Sequence, residues 1–311
     1  MNRKLRMGMV GGGRDSFIGP VHRMAAQMDG KIELVCGAFS SSPEKSRLSG
    51  QDLLLPPERV YGTYVEMFQR EAQLPDGDGM DFVSIVTPNN MHHPVAMAAL
   101  EAGFHVVCDK PMTLDLDEAR ELERKVQETG RLFCLTHNYT GYPMVKEARD
   151  LVSSDRLGAV RRVVVEYPQG WLATDVETTG LKQAVWRTDP RIAGASSCMG
   201  DIGTHCENLA EYITGLRITE MCADLTTFVS GRRLDDDGSV LLRFGDSARG
   251  ILWASQVAIG EDNSLGIRVY GEEGSLEWRL EQPDTLVVNW PNKPGELRRA
   301  ATPFVGEAAA A

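Results

Sequence analysis

No stretch of this 311-residue chain approaches the roughly 18 consecutive apolar residues that a membrane-spanning helix requires. Arg3, Lys4 and Arg6 put positive charge at the start, but the apolar run behind them breaks at three glycines, too soon for a signal-peptide core. Basic residues are in the minority, 33 Lys and Arg against 44 Asp and Glu, for a net charge of −11. That balance excludes nucleic acid and anionic membrane surfaces as principal partners, since both call for clustered cations. Cys36, Cys108, Cys134, Cys198, Cys206 and Cys222 form no C-x-x-C pair and no zinc spacing. They read as buried, reduced thiols with no metal site, and a soluble cytoplasmic protein is expected. Internal repeats are lacking as well. What remains is an ordinary globular composition with room for two domains at about 150 residues each.

The first positive signal is Leu5–His22. An apolar run, Leu5 to Val10, enters Gly11, Gly12 and Gly13, and a helix-forming segment follows from about Ile18 to Met28. Strand, glycine turn and helix open a dinucleotide-binding unit, in which backbone N–H groups at the helix start face a pyrophosphate. Counted as G-x-G-x-x-G from Gly11, the third glycine falls on Ser16, and Gly19 is the nearest substitute. Lys31–Phe39 reads as the second strand. Its tip carries Ser40, Ser41 and Ser42 with Lys45 and Arg47 behind, and no acid to bind an adenosine ribose. This leans toward NADP or tolerance of both cofactors. Ser42-Pro43-Glu44 also reads simply as a helix N-cap.

Alternation continues with a helix at Thr63–Ala72, a strand at Asp81–Thr87 and a helix at His92–Ala102. A strand at Phe104–Cys108, a helix at Leu116–Glu128 and a strand at Leu132–Thr136 follow. A doubly wound parallel sheet of Rossmann type is expected. Beyond His137 the pattern changes. After a helix at Pro143–Val152, strands group at Val160–Tyr167, Glu220–Phe228, Ser239–Phe244, Arg249–Val257, Leu265–Tyr270 and Ser275–Trp278, interrupted by a helix at Asp201–Thr214. This predicts an α+β second domain with a mostly antiparallel open sheet. The charged run Arg232–Asp237 reads as a solvated loop. The predicted boundaries are a dinucleotide-binding domain over 1–137 and a substrate-binding and oligomerisation domain over 138–311.

Two places carry chemistry. Lys110 follows a buried strand directly, between Asp109 and Pro111, at the sheet edge where α/β folds bind ligands. A lysine there can polarise a substrate hydroxyl oxygen, and a cis proline after it would fix its direction. Asp201 and His205 lie four residues apart on one helical face. Imidazole can take a hydroxyl proton near neutrality, and the carboxylate can bind a second hydroxyl. Taken alone, D-x-x-x-H also describes an aspartate N-cap with a packed histidine, or half of a metal site.

Together these segments make the chain resemble the glucose-fructose oxidoreductase, inositol dehydrogenase and rhizopine catabolism (Gfo/Idh/MocA) family as far as about Trp278. The glycine loop and Arg14 precede Gly19-Pro20-Val21-His22. Thr87-Pro88-Asn89 precedes His92, Asp109-Lys110-Pro111 stands where the family has E-K-P, and Gly200-Asp201-Ile202-Gly203-Thr204-His205 matches G-D-x-G-x-H. The resemblance implies an NAD(P)-dependent oxidoreductase acting on a secondary alcohol of a sugar, sugar derivative or cyclitol. It implies Lys110, His205 and Asp201 as the catalytic set. Cofactor contacts would come from Gly11, Gly12, Gly13, Ser16, Phe17, Ile18, Ser40, Ser41, Thr87, Pro88, Asn89, His92, Asp109, Lys110 and Asn138. Substrate contacts would come from Lys110, His137, Tyr139, Trp186, Arg187, Asp201 and His205, with Lys182 nearby. A homodimer or homotetramer built on the open face of the second sheet is implied too. The first loop is three residues longer than the family spacing. The chain also ends where family members continue with a helix returning to the first domain, which implies a shortened copy. A redox-cycling NAD-dependent glycosidase, with Tyr139 or His137 as a further base, and a non-catalytic dinucleotide-sensing regulator are the rival readings.

Overall fold

The computed structural model describes residues 3–310, which divide into two compact units, one ending at Thr136 and one beginning at His137. In the first, β1 (Leu5–Gly11), α1 (Ile18–Gln27), β2 (Ile32–Ala38), α2 (Pro43–Asp52) and α3 (Tyr64–Glu71) lead to β3 (Phe82–Val86). Then come α4 (His92–Glu101), β4 (His105–Cys108), α5 (Leu116–Thr129) and β5 (Phe133–Leu135). The five strands run parallel in the order β2-β1-β3-β4-β5. Val83, Ile85, Val106 and Cys108 are buried, as strands covered by helices on both faces must be. Helix ends follow local chemistry. Ser42 accepts from Lys45 N with Pro43 in the first turn of α2, Asp115 accepts from Glu118 N at the start of α5, and Gly130 closes α5 in the left-handed region.

The second unit opens with α6 (Pro143–Ser153), β6 (Val160–Pro168) and two short helices, α7 (Lys182–Arg187) and α8 (Pro190–Ala193). A π-helical turn at Met199–Gly203 runs into α9 (Thr204–Thr214). Seven strands follow: β7 (Glu220–Thr226), β8 (Asp237–Phe244), β9 (Ala248–Ser255), β10 (Gly266–Gly271), β11 (Ser275–Arg279), β12 (Thr285–Trp290) and β13 (Lys293–Arg299). The chain then reaches α10 (Glu307–Ala310). The sheet order is β13-β12-β11-β10-β6-β9-β8-β7. Every pairing is antiparallel except β6 with β9. One face carries the core, Val163, Val165, Leu252, Ile267 and Trp278, against Val145, Ala148, Leu209 and Ile213 of α6 and α9. The opposite face leaves Cys222, Leu241, Ile251 and Tyr270 exposed.

The fold class is the expected one, with an addition and two corrections. Strands β12 and β13 extend the sheet beyond Trp278. Of the six free cysteines, Cys36, Cys108, Cys198 and Cys206 are buried, and burial pushes their thiols up. Cys134 and Cys222 are exposed, because short β5 and outer β7 lie at sheet edges. The loop Arg232–Asp237 is not solvated. Arg232 has a side chain only 3% exposed and reaches Glu177 (2.8 Å), Asp236 (3.3 Å) and the carbonyls of Leu172 (2.7 Å) and Thr174 (2.6 Å). Asp236 in turn accepts from Phe228 N (2.8 Å) and Val229 N (3.0 Å). Arg233 stays in solvent, with a side chain 68% exposed, but Arg232, Asp235 and Asp236 spend their charges internally and tie the β7–β8 connection to the segment before α7. No helix among the described residues is long and apolar enough to cross a membrane.

Candidate active site

At the end of β1 the chain turns through Gly11 and Gly12, both at positive φ (81° and 73°). A Cβ on Gly19, in the first turn of α1, would lie 2.4 Å from Gly12 Cα. Loop and helix therefore touch backbone to backbone, a contact only glycine permits. The three extra residues form a turn. Ser16 N donates to Gly13 O (3.1 Å), Asp15 takes positive φ (62°), and Ser16 Oγ accepts from Gly19 N (3.3 Å). Phe17 is 68% exposed beside it. Arg23 Nη1 braces the loop by donating to Gly12 O (2.7 Å), and Arg14 N donates to Ser49 Oγ (3.1 Å). At the tip of β2, Ser40 Oγ accepts from Ser42 N (3.2 Å), while Arg47 pairs with Glu44 (2.7 Å) and Arg14 with Asp52 (2.5 Å).

Along the same sheet edge, Thr87-Pro88-Asn89 leaves β3 and Asp109-Lys110-Pro111 leaves β4. The Lys110–Pro111 peptide is cis. Asp109 Oδ1 accepts from Lys110 N (3.0 Å) and Thr136 Oγ1 (3.0 Å), which fixes the backbone that carries the lysine. His92, 1% exposed, points Nδ1 at Pro111 O (2.6 Å) and Nε2 at Thr87 O (3.0 Å). Its ring joins the two turns. Burial lowers its pKa, and burial likewise lowers that of His22, whose Nδ1 meets Ser84 Oγ at 3.0 Å.

In the second unit the π-helical turn is held from outside. Asp235 accepts from Ser197 N (3.0 Å) and Met199 N (2.8 Å). Asp235, from the Arg232–Asp237 loop, thus does the capping, and Asp201 does not. Asp201 Oδ2 accepts from Arg187 Nε (2.9 Å) and Gln256 Nε2 (2.9 Å). The Arg187 guanidinium centre lies 4.1 Å from the Trp186 ring and 5.8 Å from that of Trp171. His205, 5% exposed, is enclosed by aromatic rings, with Tyr139 at 4.7 Å, His137 at 5.7 Å and Tyr167 at 6.1 Å between centroids. Burial, reinforced by the Tyr139 hydroxyl, pushes the Tyr167 phenol well above its ordinary range. Asn138 opens the short turn before α6 and is exposed, as is Lys182 at the start of α7.

A family model described as an oxidoreductase family with an NAD-binding Rossmann fold matches residues 5–137. A model of the GFO/IDH/MocA C-terminal domain matches residues 145–277. The chain belongs to the Gfo/Idh/MocA oxidoreductase family. An uncharacterized oxidoreductase, YfiI, of Bacillus subtilis is 33% identical over 99% of this chain and 78% of its own length. Levoglucosan dehydrogenase of Pseudarthrobacter phenanthrenivorans is 25% identical over 98% of this chain and 81% of its own. The crystal structure of an inositol dehydrogenase homolog complexed with NAD+ from Azotobacter vinelandii superposes with a TM-score of 0.95 at 36% identity, covering 99% of this chain and 79% of that one. The same homolog complexed with NADH and myo-inositol gives a TM-score of 0.92.

Within this Gfo/Idh/MocA chain, the structure gathers Gly11, Gly12, Gly13 and Ser16–Ile18 at one turn, and joins the Thr87 and Lys110 turns through His92. It groups His137, Tyr139 and His205 by ring contact, and Trp186, Arg187 and Asp201 by charge. Four residues of these groupings lay outside sequence reasoning: Gln256, Trp171, Tyr167 and Asp235. Gln256 directly follows an apolar strand and Tyr167 sits inside one, so neither carried a polar signal. Asp235 lay in a charge run that reads equally well as a wet loop.

Proposed function

We propose that the protein is an NAD(P)-dependent dehydrogenase that oxidises a secondary alcohol of a sugar or cyclitol. The observation that carries the reading is the glycine turn packed against Gly19 at one sheet edge with Lys110, in a chain whose second unit encloses His205 beside an anchored Asp201. The first-turn N–H groups of α1 and the Gly11–Gly13 backbone suit a pyrophosphate, because side chains are excluded where loop and helix meet. Ser40 and Ser41 would face the adenosine ribose, and Thr87, Pro88, Asn89, Asp109 and Asn138 would line the remainder. When bound, the dinucleotide supplies the hydride acceptor.

The chain's own residues handle the oxygen and its proton. His205 takes the hydroxyl proton on its imidazole, and Lys110 Nζ stabilises negative charge growing on the substrate oxygen. Asp201, tied by Arg187 and Gln256, accepts from a second hydroxyl and fixes the sugar's orientation. Without an acid at the tip of β2, both NAD and NADP are accepted. The exposed apolar face of the second sheet buries itself in a homo-oligomer.

The test is a panel of sugars, uronates, glycosides and inositols offered with NAD and NADP separately, following reduced-nicotinamide absorbance. Stoichiometric formation of reduced cofactor is expected with at least one polyol. His205→Ala and Lys110→Met are expected to lower kcat by roughly 10²–10⁴ while cofactor binding persists. Wild-type turnover in either variant, or aglycone release with no net absorbance change, contradicts the reading.

A further inference from the structure

Four hydrogen bonds form one line through the second unit. Trp171 Nε1 donates to Gln169 Oε1 (3.0 Å), and Gln169 Nε2 donates to Asn263 Oδ1 (2.7 Å). The Tyr167 hydroxyl donates to the same oxygen (2.6 Å), and the Tyr139 and Tyr167 hydroxyl oxygens lie 2.6 Å apart. Distances alone leave the direction of the last bond open. The first bond settles it, because an indole N–H can only donate. Gln169 must turn its oxygen to Trp171 and so its nitrogen to Asn263. Asn263 must answer with its oxygen, and the Tyr167 proton is spent on that oxygen. The proton between the two phenols is therefore the one on Tyr139. Reversing either amide would set donor against donor at hydrogen-bonding distance.

Tyr139 is left with lone pairs only. Its ring stands nearly perpendicular to that of His205 (74°) and is half-buried, whereas Tyr167 is 2% exposed. We propose that Tyr139 recognises a substrate hydroxyl next to the carbon on which His205 acts, strictly as an acceptor. Trp171 is the positioning residue that fixes this role through Gln169, Asn263 and Tyr167. The substrate class follows: a vicinal diol, whose second hydroxyl donates to Tyr139. An analogue with fluorine or an ether oxygen at that position offers nothing to donate and is rejected. This inference rests on the dehydrogenase reading above.

The polarity is testable on the protein alone. In protein carrying ¹³C-labelled tyrosine, the hydroxyl proton that disappears in Tyr139→Phe should be visible by NMR and slow to exchange, since it sits in a short bond to a buried partner. Trp171→Phe should speed that exchange about tenfold or more, because the amides are then free to turn. A Tyr139 proton exchanging as fast as that of a solvated phenol overturns the proposal. The substrate arm uses myo-inositol, levoglucosan and D-xylose with each cofactor. On whichever is oxidised, Tyr139→Phe should raise KM about tenfold with kcat little changed, and the unaltered enzyme should prefer the hydroxyl compound to its deoxyfluoro analogue about tenfold. Trp171→Phe should narrow that preference. Equal rates on the two compounds overturn the proposal. Failure to oxidise any of the three overturns the substrate role, while the exchange measurement still reports the polarity separately.

Discussion

Arg232 shows what a single side chain does in this protein. A guanidinium 3% exposed, set between Glu177 and Asp236 and bonded to two carbonyls, leaves uncompensated buried charge if it is removed. Breaking such a cluster from one side costs about 3–5 kcal/mol. Arg232→Leu is expected to lower stability by that amount in denaturant unfolding, with Arg232→Lys recovering part of it, since an ammonium cannot match the planar fork. A loss below about 1 kcal/mol would mean that the loop is solvated after all. This is also where sequence reading fails for a physical reason. A charge run looks the same whether water or neighbouring backbone satisfies it, and the Asp235 contacts with Ser197 and Met199 join positions far apart in the chain. The placement of Lys110 after a strand and of His205 at the start of a helix was legible, because each stands in a recognisable local pattern.

Among the elements, the glycine turn and α1 depend most on one contact. A methyl on Gly19 would meet Gly12 Cα at 2.4 Å and Gly12 O at 2.7 Å, so the loop must move away from the helix. Overpacking of this kind costs about 1–3 kcal/mol. If the displaced atoms hold the pyrophosphate, Gly19→Ala weakens cofactor binding by roughly tenfold or more, while the second unit's unfolding is unchanged. Titration by reduced-nicotinamide fluorescence measures this, and unaltered affinity would place the dinucleotide elsewhere. The parallel strands were legible because burial on both faces leaves continuous apolar, β-branched runs. β13 was not, because Lys293–Arg299 offers no apolar alternation and forms by pairing with β12. The π-helical turn was equally hidden, since nothing in Met199–Gly203 distinguishes it from an ordinary first turn.

For the molecule as a whole, the outer face of the eight-stranded sheet makes a measurable statement. Cys222, Leu241 and Ile251 stand side by side on β7, β8 and β9 and are exposed, an apolar strip of the kind that marks an interaction surface. If a second copy covers it, Leu241→Arg should shift the mass in light scattering toward the monomer with the fold intact by circular dichroism. An unchanged mass would assign the face no role in assembly. The sheet also constrains how this protein is made. Strand β6 lies between β10 and β9, both encoded later in the chain, and β9 begins only at Ala248. As the chain leaves the ribosome, Val163 and Val165 have no strand on either side while α7, α8, α9, β7 and β8 are synthesised. The centre of the second unit is thus completed late, and until β9 emerges the nascent chain holds an apolar strand with both edges unpaired.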